Sequence, residues 1–271
     1  MIIDFHTHCF PDAIAARAVK LTGDLAGLSP NTDGTADGLR QLLLHANIDI
    51  GVVLPVVTKP RQFDTVNGFA AEINSKHNML YSFGGIHPDD GTPEEHLDKI
   101  KALGLPGIKL HPDYQGHYID DEYCVRIIKY ALSIGLIIVT HAGVDDGYPD
   151  APVHCSPERA AHMLDLVYDG RTPDEPRIVF AHGGGSRMHG EVMKHLAGKN
   201  VMFDISYIFR FMHPRDFTEL IRTHGAERIL FGSDAPWGDP ADGIALVDKL
   251  PLTSNERELI LCENAKNLLE I

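Results

Sequence analysis

At 271 residues the chain is long enough for two small domains or for one large α/β barrel. A hydrophobic content of 44% with 23% charged residues describes a chain that buries a large core and excludes a disordered one. The formal net charge of -14 weighs against a nucleic-acid partner, because phosphate binding needs clustered Lys and Arg.

The chain opens MIIDFHTHCF, and a strand is expected over residues 2–8. In strict alternation His6 and His8 share one face and Phe5 and Thr7 take the other. Two imidazoles that converge where a strand meets solvent suit a divalent metal, although a polar strand end at the surface accounts for them equally well. A first helix comes next, then an expected long loop over 23–38. Further β-rich runs fall at 50–56, 80–88, 107–112, 136–143, 177–185, 201–206 and 228–234, which brings the expected strands to eight.

Between these runs lie segments with helical spacing, such as Leu39, Leu42, Leu43 and Ala46, or Val125, Ile127, Ile128 and Leu132. Helix starts are expected at Asp120, Ser156 and Ser254, and a last helix runs through Glu263 to Leu269. No low-complexity stretch or linker divides the chain, so one domain over 1–271 is expected, a (β/α)8 TIM barrel rather than a doubly wound open sheet. No apolar run nears the roughly twenty residues that cross a bilayer, so no membrane partner is expected. Cys9, Cys124, Cys155 and Cys262 are scattered with no CxxC pair and no secretory leader, which points to the reducing cytoplasm.

Active sites of such barrels lie at the C-terminal strand ends. Those ends carry His6 and His8, His87, Lys109 and His111, His141, His182 and Asp234. His45, His77, His96, His162, His195 and His224 fall elsewhere and read as ordinary surface or helix residues. Imidazole nitrogen and carboxylate oxygen are ligands of zinc and similar ions, and a catalytic site needs three or four with a position left open. His6, His8, His141 and Asp234 at matching strand ends form such a set.

The motifs DFHTH, KLHP, VTHAG, FAHGGG and FGSDAPW, in this order, resemble the amidohydrolase superfamily over nearly the whole chain. FAHGGG and FGSDAPW are similar to its amidohydrolase-related branch, which includes metal-dependent hydrolases, lactonases and decarboxylases of the aminocarboxymuconate semialdehyde type. The resemblance implies a divalent metal, expected as one zinc ion, held by His6, His8, His141 and Asp234. It places His182 beside the attacking water or a substrate oxygen. Lys109 is ambiguous: in binuclear relatives a carboxylated lysine at this strand bridges two metals, with the strand-five and strand-six histidines, here His141 and His182, on the second.

Asp234 is then ligand and proton carrier, with His182 its catalytic companion. Arg210, after Tyr207 and Phe209, either grips a substrate carboxylate or is a solvated helix-start residue, the commoner arrangement. Trp237, the single tryptophan, forms a pocket wall or packs under a loop. His87 and His111 line the mouth or bond backbone. The expected activity is hydrolysis of a carbonyl-centred bond, in a cyclic amide, lactone or ester, within a small molecule. Nonoxidative decarboxylation of an unsaturated or aromatic acid is the alternative, and a metal-binding protein without catalysis is a third reading. The sequence is compatible with a homo-oligomer and does not require one.

Overall fold

The computed structural model describes residues 1–76, 79–171 and 173–271, so His77 lies outside the described residues. Nine parallel strand segments are present among them: β1 (Ile3–Thr7), β2 (Ile50–Val53), β3 (Leu80–Ser82), β4 (Gly84–Gly85), β5 (Gly107–Leu110), β6 (Ile137–Thr140), β7 (Ile178–Phe180), β8 (Met202–Asp204) and β9 (Ile229–Leu230). The run expected as a third strand is split, because β3 pairs with β2 and β4 with β5 on either side of Phe83. Counted as one stave, β3 and β4 bring the barrel to eight.

Closure comes between the first and last staves. Phe5 N donates to Phe231 O at 2.8 Å, Asp234 N to His6 O at 2.8 Å and His8 N to Ala235 O at 2.6 Å. Asp4 reinforces that seam: its buried carboxyl accepts from Ser233 N at 2.9 Å, Ser233 Oγ at 2.5 Å and His6 N at 3.2 Å. Burial pushes its pKa up to about 7 even though these bonds favour the charged form.

Two apolar layers hold the staves. A large cluster, including Leu39, Leu43, Ile108, Ile138, Phe180 and Phe203, binds the helices to the outside of the sheet. A smaller one takes Ile3, Phe5, Val52, Phe83, Val139, Val179, Met202 and Leu230 from strands around the ring, and so fills the interior. Cys262 and Ala265 of the C-terminal segment join that inner cluster beside the chain's N-terminus, sealing the barrel end opposite the histidines.

Strict alternation in β1 is not observed. Pairing with β2 runs Ile3 to Ile50, Asp4 to Gly51, then Thr7 to Val53, so β1 carries an extra residue at Phe5 and His6. A bulge of this kind re-aims side chains. Phe5 therefore belongs to the inner cluster although His6 also reaches the barrel mouth.

The first helix is longer than expected, Asp12–Ala26, and ends on Gly27 in the left-handed region at φ 67°, which shortens the expected loop to 28–35 before the helix Ala36–His45. Ser156 caps its helix as expected, by accepting from Arg159 N. The other two caps shift by one residue: Asp121 accepts from Cys124 N, and Thr253 forms a capping box with Glu256. Asp120 instead pairs with Arg159 and His162. His224 is a buried helix residue stacked 3.8 Å from Phe203. No helix among the described residues is long and apolar enough to cross a membrane.

Gly107 opens β5 at a tight point of the barrel, where an added Cβ would lie 2.1 Å from Ile137 O and 2.6 Å from the Phe83 ring. Gly107→Ala is expected to lower unfolding free energy by about 1–3 kcal/mol, as overpacking does. Equilibrium denaturation of variant and wild type checks this.

Candidate metal centre at the strand ends

The bulge in β1 and the seam with β9 bring three ligand atoms together. His6 Nε2 lies 3.2 Å from His8 Nε2, His8 Nε2 lies 3.1 Å from Asp234 Oδ1, and His6 Nε2 lies 3.4 Å from the same oxygen. Donors bound to one ion at about 2.0–2.2 Å are separated from each other by about 3.0–3.6 Å, so this triangle has the size of a coordination edge set.

The tautomers decide whether it can work as one. His8 Nδ1 is 2.9 Å from Leu54 O, which can only accept, so Nδ1 carries the proton and Nε2 is bare. His6 Nδ1 is 2.8 Å from Asp204 Oδ2. Burial and the nearby Lys109 ammonium lower the His6 pKa to about 4, which keeps the ring neutral, so its proton goes to Asp204 and its Nε2 is bare as well. For Asp234, burial alone would raise the pKa, but positive charge at the triangle, from a histidine proton in the metal-free protein or from a cation in its place, outweighs it and holds the carboxyl at about 2. Once that histidine proton is displaced, two lone pairs and a carboxylate oxygen face one another. A divalent cation satisfies all three, and the residues present fit one.

Asp204, at the end of β8, is absent from the strand-end set read from the sequence. It is fully buried and serves as the hub of the site. One oxygen holds His6 Nδ1 and the other accepts from His182 N at 3.1 Å and Ser206 N at 3.0 Å. Burial would raise its pKa, yet the hydrogen bond from His6 Nδ1 and the Lys109 ammonium hold it well below the usual carboxylate range. The sequence does carry a signal for it: an acid closing the apolar run VMF at a strand C-terminus.

His141 and His182 form a neighbouring pair, with His182 Nε2 3.1 Å from His141 Nδ1. His182 Nδ1 is 3.1 Å from Ser206 O, an acceptor, which leaves Nε2 bare. His141 is not within the His6, His8 and Asp234 triangle; its ring stacks on His111 and its Nε2 faces Asp113 Oδ2 at 3.9 Å. Lys109 is fully buried between the groups, its Nζ 3.4 Å from His6 Nε2, and burial lowers its pKa to about 8.

The remaining candidates are spread over the mouth. His111 lies against His141 and Tyr114. His87 sits apart, accepting from Asp89 N and grouped with Asp89 and His117. Arg210 is exposed, its guanidinium reaching only Tyr207 OH among the described residues, at 3.4 Å, while Arg187, which no motif singles out, is fixed by Asp146 at 2.9 Å. Trp237 packs over Gly23 of the first helix, where an added Cβ would be 3.5 Å from its ring.

His182, Arg187, Tyr207 and Asp234 all adopt left-handed φ, between 57° and 67°, which non-glycine residues rarely adopt. Strain of this kind costs about 1–3 kcal/mol per residue and gathers at functional sites.

A parallel barrel whose strand ends gather imidazoles, a carboxylate and a buried lysine defines an enzyme of the metal-dependent barrel class. A sequence profile described as Amidohydrolase matches residues 3–271, and the chain belongs to the amidohydrolase family. No curated protein sequence matches the chain. Among solved structures, it is similar to 2,6-dihydroxybenzoate decarboxylase complexed with 2,6-dihydroxybenzoate, at 16% identity and TM-score 0.74 over 100% of this chain and 99% of that one. A manganese-bound 5-carboxyvanillate decarboxylase mutant from Novosphingobium aromaticivorans matches at 13% identity and TM-score 0.69, over 100% and 97% of the two chains. A probable 2-pyrone-4,6-dicarboxylic acid hydrolase from Acinetobacter baumannii matches at 17% identity and TM-score 0.69, over 100% and 99%. At these identities the likeness is one of fold.

Asp204→Asn exchanges the carboxylate that orients His6 for an amide. Metal affinity is expected to fall about 10–100-fold, the usual effect of losing such an orienting carboxylate. Titration of metal-free protein with Zn²⁺ against a competing chelator measures it.

Proposed function

We propose that the protein is a metal-dependent hydrolase that cleaves a carbonyl-centred bond, in a cyclic amide, lactone or ester, of a small molecule. The observation that carries this reading is the triangle of His6 Nε2, His8 Nε2 and Asp234 Oδ1, 3.1–3.4 Å apart, with both Nδ1 atoms turned away to Asp204 and Leu54 O. Its nitrogen-rich donor set suits zinc, although carboxylate and imidazole donors also accept manganese. One ion is favoured: the triangle gathers three ligand atoms around one point, whereas a second ion beside His141 and His182 would need Lys109 to be carboxylated.

When bound, such an ion supplies a Lewis acid and lowers the pKa of water from about 15.7 to about 7. The chain does the rest. Asp234 uses Oδ1 in the triangle, and its Oδ2 accepts no hydrogen bond among the described residues, so it is free to take the proton of the attacking water and pass it to the leaving group. His182 presents a bare Nε2 and cannot donate to a carbonyl oxygen from it. Its lone pair accepts from His141 Nδ1 at 3.1 Å, and it orients an attacking water by exchanging that contact for the water's proton.

Decarboxylation is the second reading. The Arg210 guanidinium beside Tyr207 OH at the mouth favours it, as do the named activities of two structural neighbours. It stands second because Arg210 is exposed and the buried wall beside the site carries Asp113 and Asp145. A panel of lactones, cyclic amides and aromatic acids separates the two: ring opening or ester cleavage supports hydrolysis, and CO₂ release supports decarboxylation.

Asp234→Asn keeps an oxygen for the triangle and removes the proton acceptor. Bound metal is expected to survive at least in part while turnover falls about a hundredfold to ten-thousandfold. Metal content and rate are measured side by side; a variant that keeps both its metal and most of its rate refutes the proton-carrier role.

A further inference from the structure

Beside the triangle, on the segments that continue from β5 and β6, lies a group of buried polar atoms that the proposed chemistry does not use. Tyr114, His111 and His141 form a continuous stack, with ring centroids 3.9 and 4.3 Å apart and planes 12° apart in each pair. Asp145 sits at the edge of that stack. Its Oδ1 accepts from Gly147 N at 2.8 Å, which fixes the carboxyl, and its Oδ2 lies 3.5 Å from His111 Nε2. One ligand atom from each of His111, His141 and Asp145 lies within 4.8 Å of the others.

This wall is incompletely paired. His111 Nδ1, His141 Nε2 and Asp113 Oδ2 are buried without a hydrogen-bond partner, in side chains only 9%, 6% and 6% exposed. A buried polar atom left so is destabilising, and a ligand that completes it removes that penalty. The wall's charge is also one-sided. Asp113 and Asp145 pair only with histidines among the described residues, while the adjacent Asp146 is occupied by Arg187. An anionic substrate group placed against Asp145 would face Asp113, Asp146 and Asp234 as well, while the buried Lys109 ammonium is turned to His6. A hydrogen-bond donor would meet an acceptor held in place by its own turn.

We infer that Asp145, supported by the His111 ring, is a specificity-determining residue that takes an N–H donor from a planar ring, so that the substrate class is cyclic amides, imides or ureas rather than lactones or esters. The inference deepens the hydrolase reading and rests on it for the reaction, but recognition of the N–H can be measured without turnover.

The probes are 2-benzimidazolinone and 2-indanone, flat bicyclic carbonyl compounds of the same shape that differ in carrying N–H or CH₂ beside the carbonyl. Each is titrated calorimetrically into the metal-loaded protein. Burial and the neighbouring carboxyls push the Asp145 carboxyl up to about 7, so the titrations are run at about pH 8.5, where it is charged and a hydrogen bond to it corresponds to roughly tenfold to a hundredfold in affinity. Wild type is expected to prefer 2-benzimidazolinone by at least about tenfold. In Asp145→Asn the amide oxygen keeps the Gly147 bond and an NH₂ replaces Oδ2, so the preference should collapse to within about threefold. Affinity for 2-indanone should not change, which also reports that the variant is folded. Equal binding of the two rings to wild type, no binding of either, or a preference that survives in Asp145→Asn overturns the inference. A preference that behaves as expected in a protein that opens no cyclic amide would sink the hydrolase reading and leave the recognition role standing.

Discussion

The site depends on where two protons sit. Leu54 O takes the Nδ1 proton of His8 and Asp204 takes that of His6, so both Nε2 lone pairs turn inward on Asp234 Oδ1. If either proton moved to Nε2, the triangle would become an ordinary hydrogen-bonded cluster with no need of a cation. The orienting groups are therefore as much part of the site as the three atoms they expose. Both come from other staves, Leu54 from the end of β2 and Asp204 from β8, so the tautomers hold only while the barrel is closed.

Closure and chemistry share one seam. Backbone bonds from β1 to the segment after β9 carry Asp234 to His6, and the Asp4 carboxyl ties Ser233, the residue before Asp234, to the His6 backbone. Left-handed backbone at His182 and Asp234 then turns the chain away from each strand as soon as its functional side chain has been placed. Tight local geometry of this kind needs an over-determined surround, which the two apolar layers on either side of the sheet supply.

Much of this is legible in the sequence. The eight-stave beat is set by the period of the apolar runs, and the gathering of histidines at strand ends by the residue types that close each run. Three features are not legible. The β1 bulge has no local signature in DFHTH, because an extra residue shows only in pairing with Ile50–Val53. Asp204 escapes a sequence reading because an acid at a strand end reads as solvated until its partner, His6, is known from 198 residues away in the chain. The position of His141, against His182 and His111 rather than in the triangle, depends on ring orientation, which spacing does not encode.

The most direct test of the central claim is the location of the ion. Crystals of metal-loaded protein, with anomalous diffraction measured at the absorption edges of zinc and manganese, report the position and the element together. The tautomers of His6 and His8 predict a principal peak about 2.0–2.2 Å from His6 Nε2, His8 Nε2 and Asp234 Oδ1. A principal peak elsewhere, such as at His87 and His117, or full occupancy in a variant that lacks His6 and His8, would contradict it.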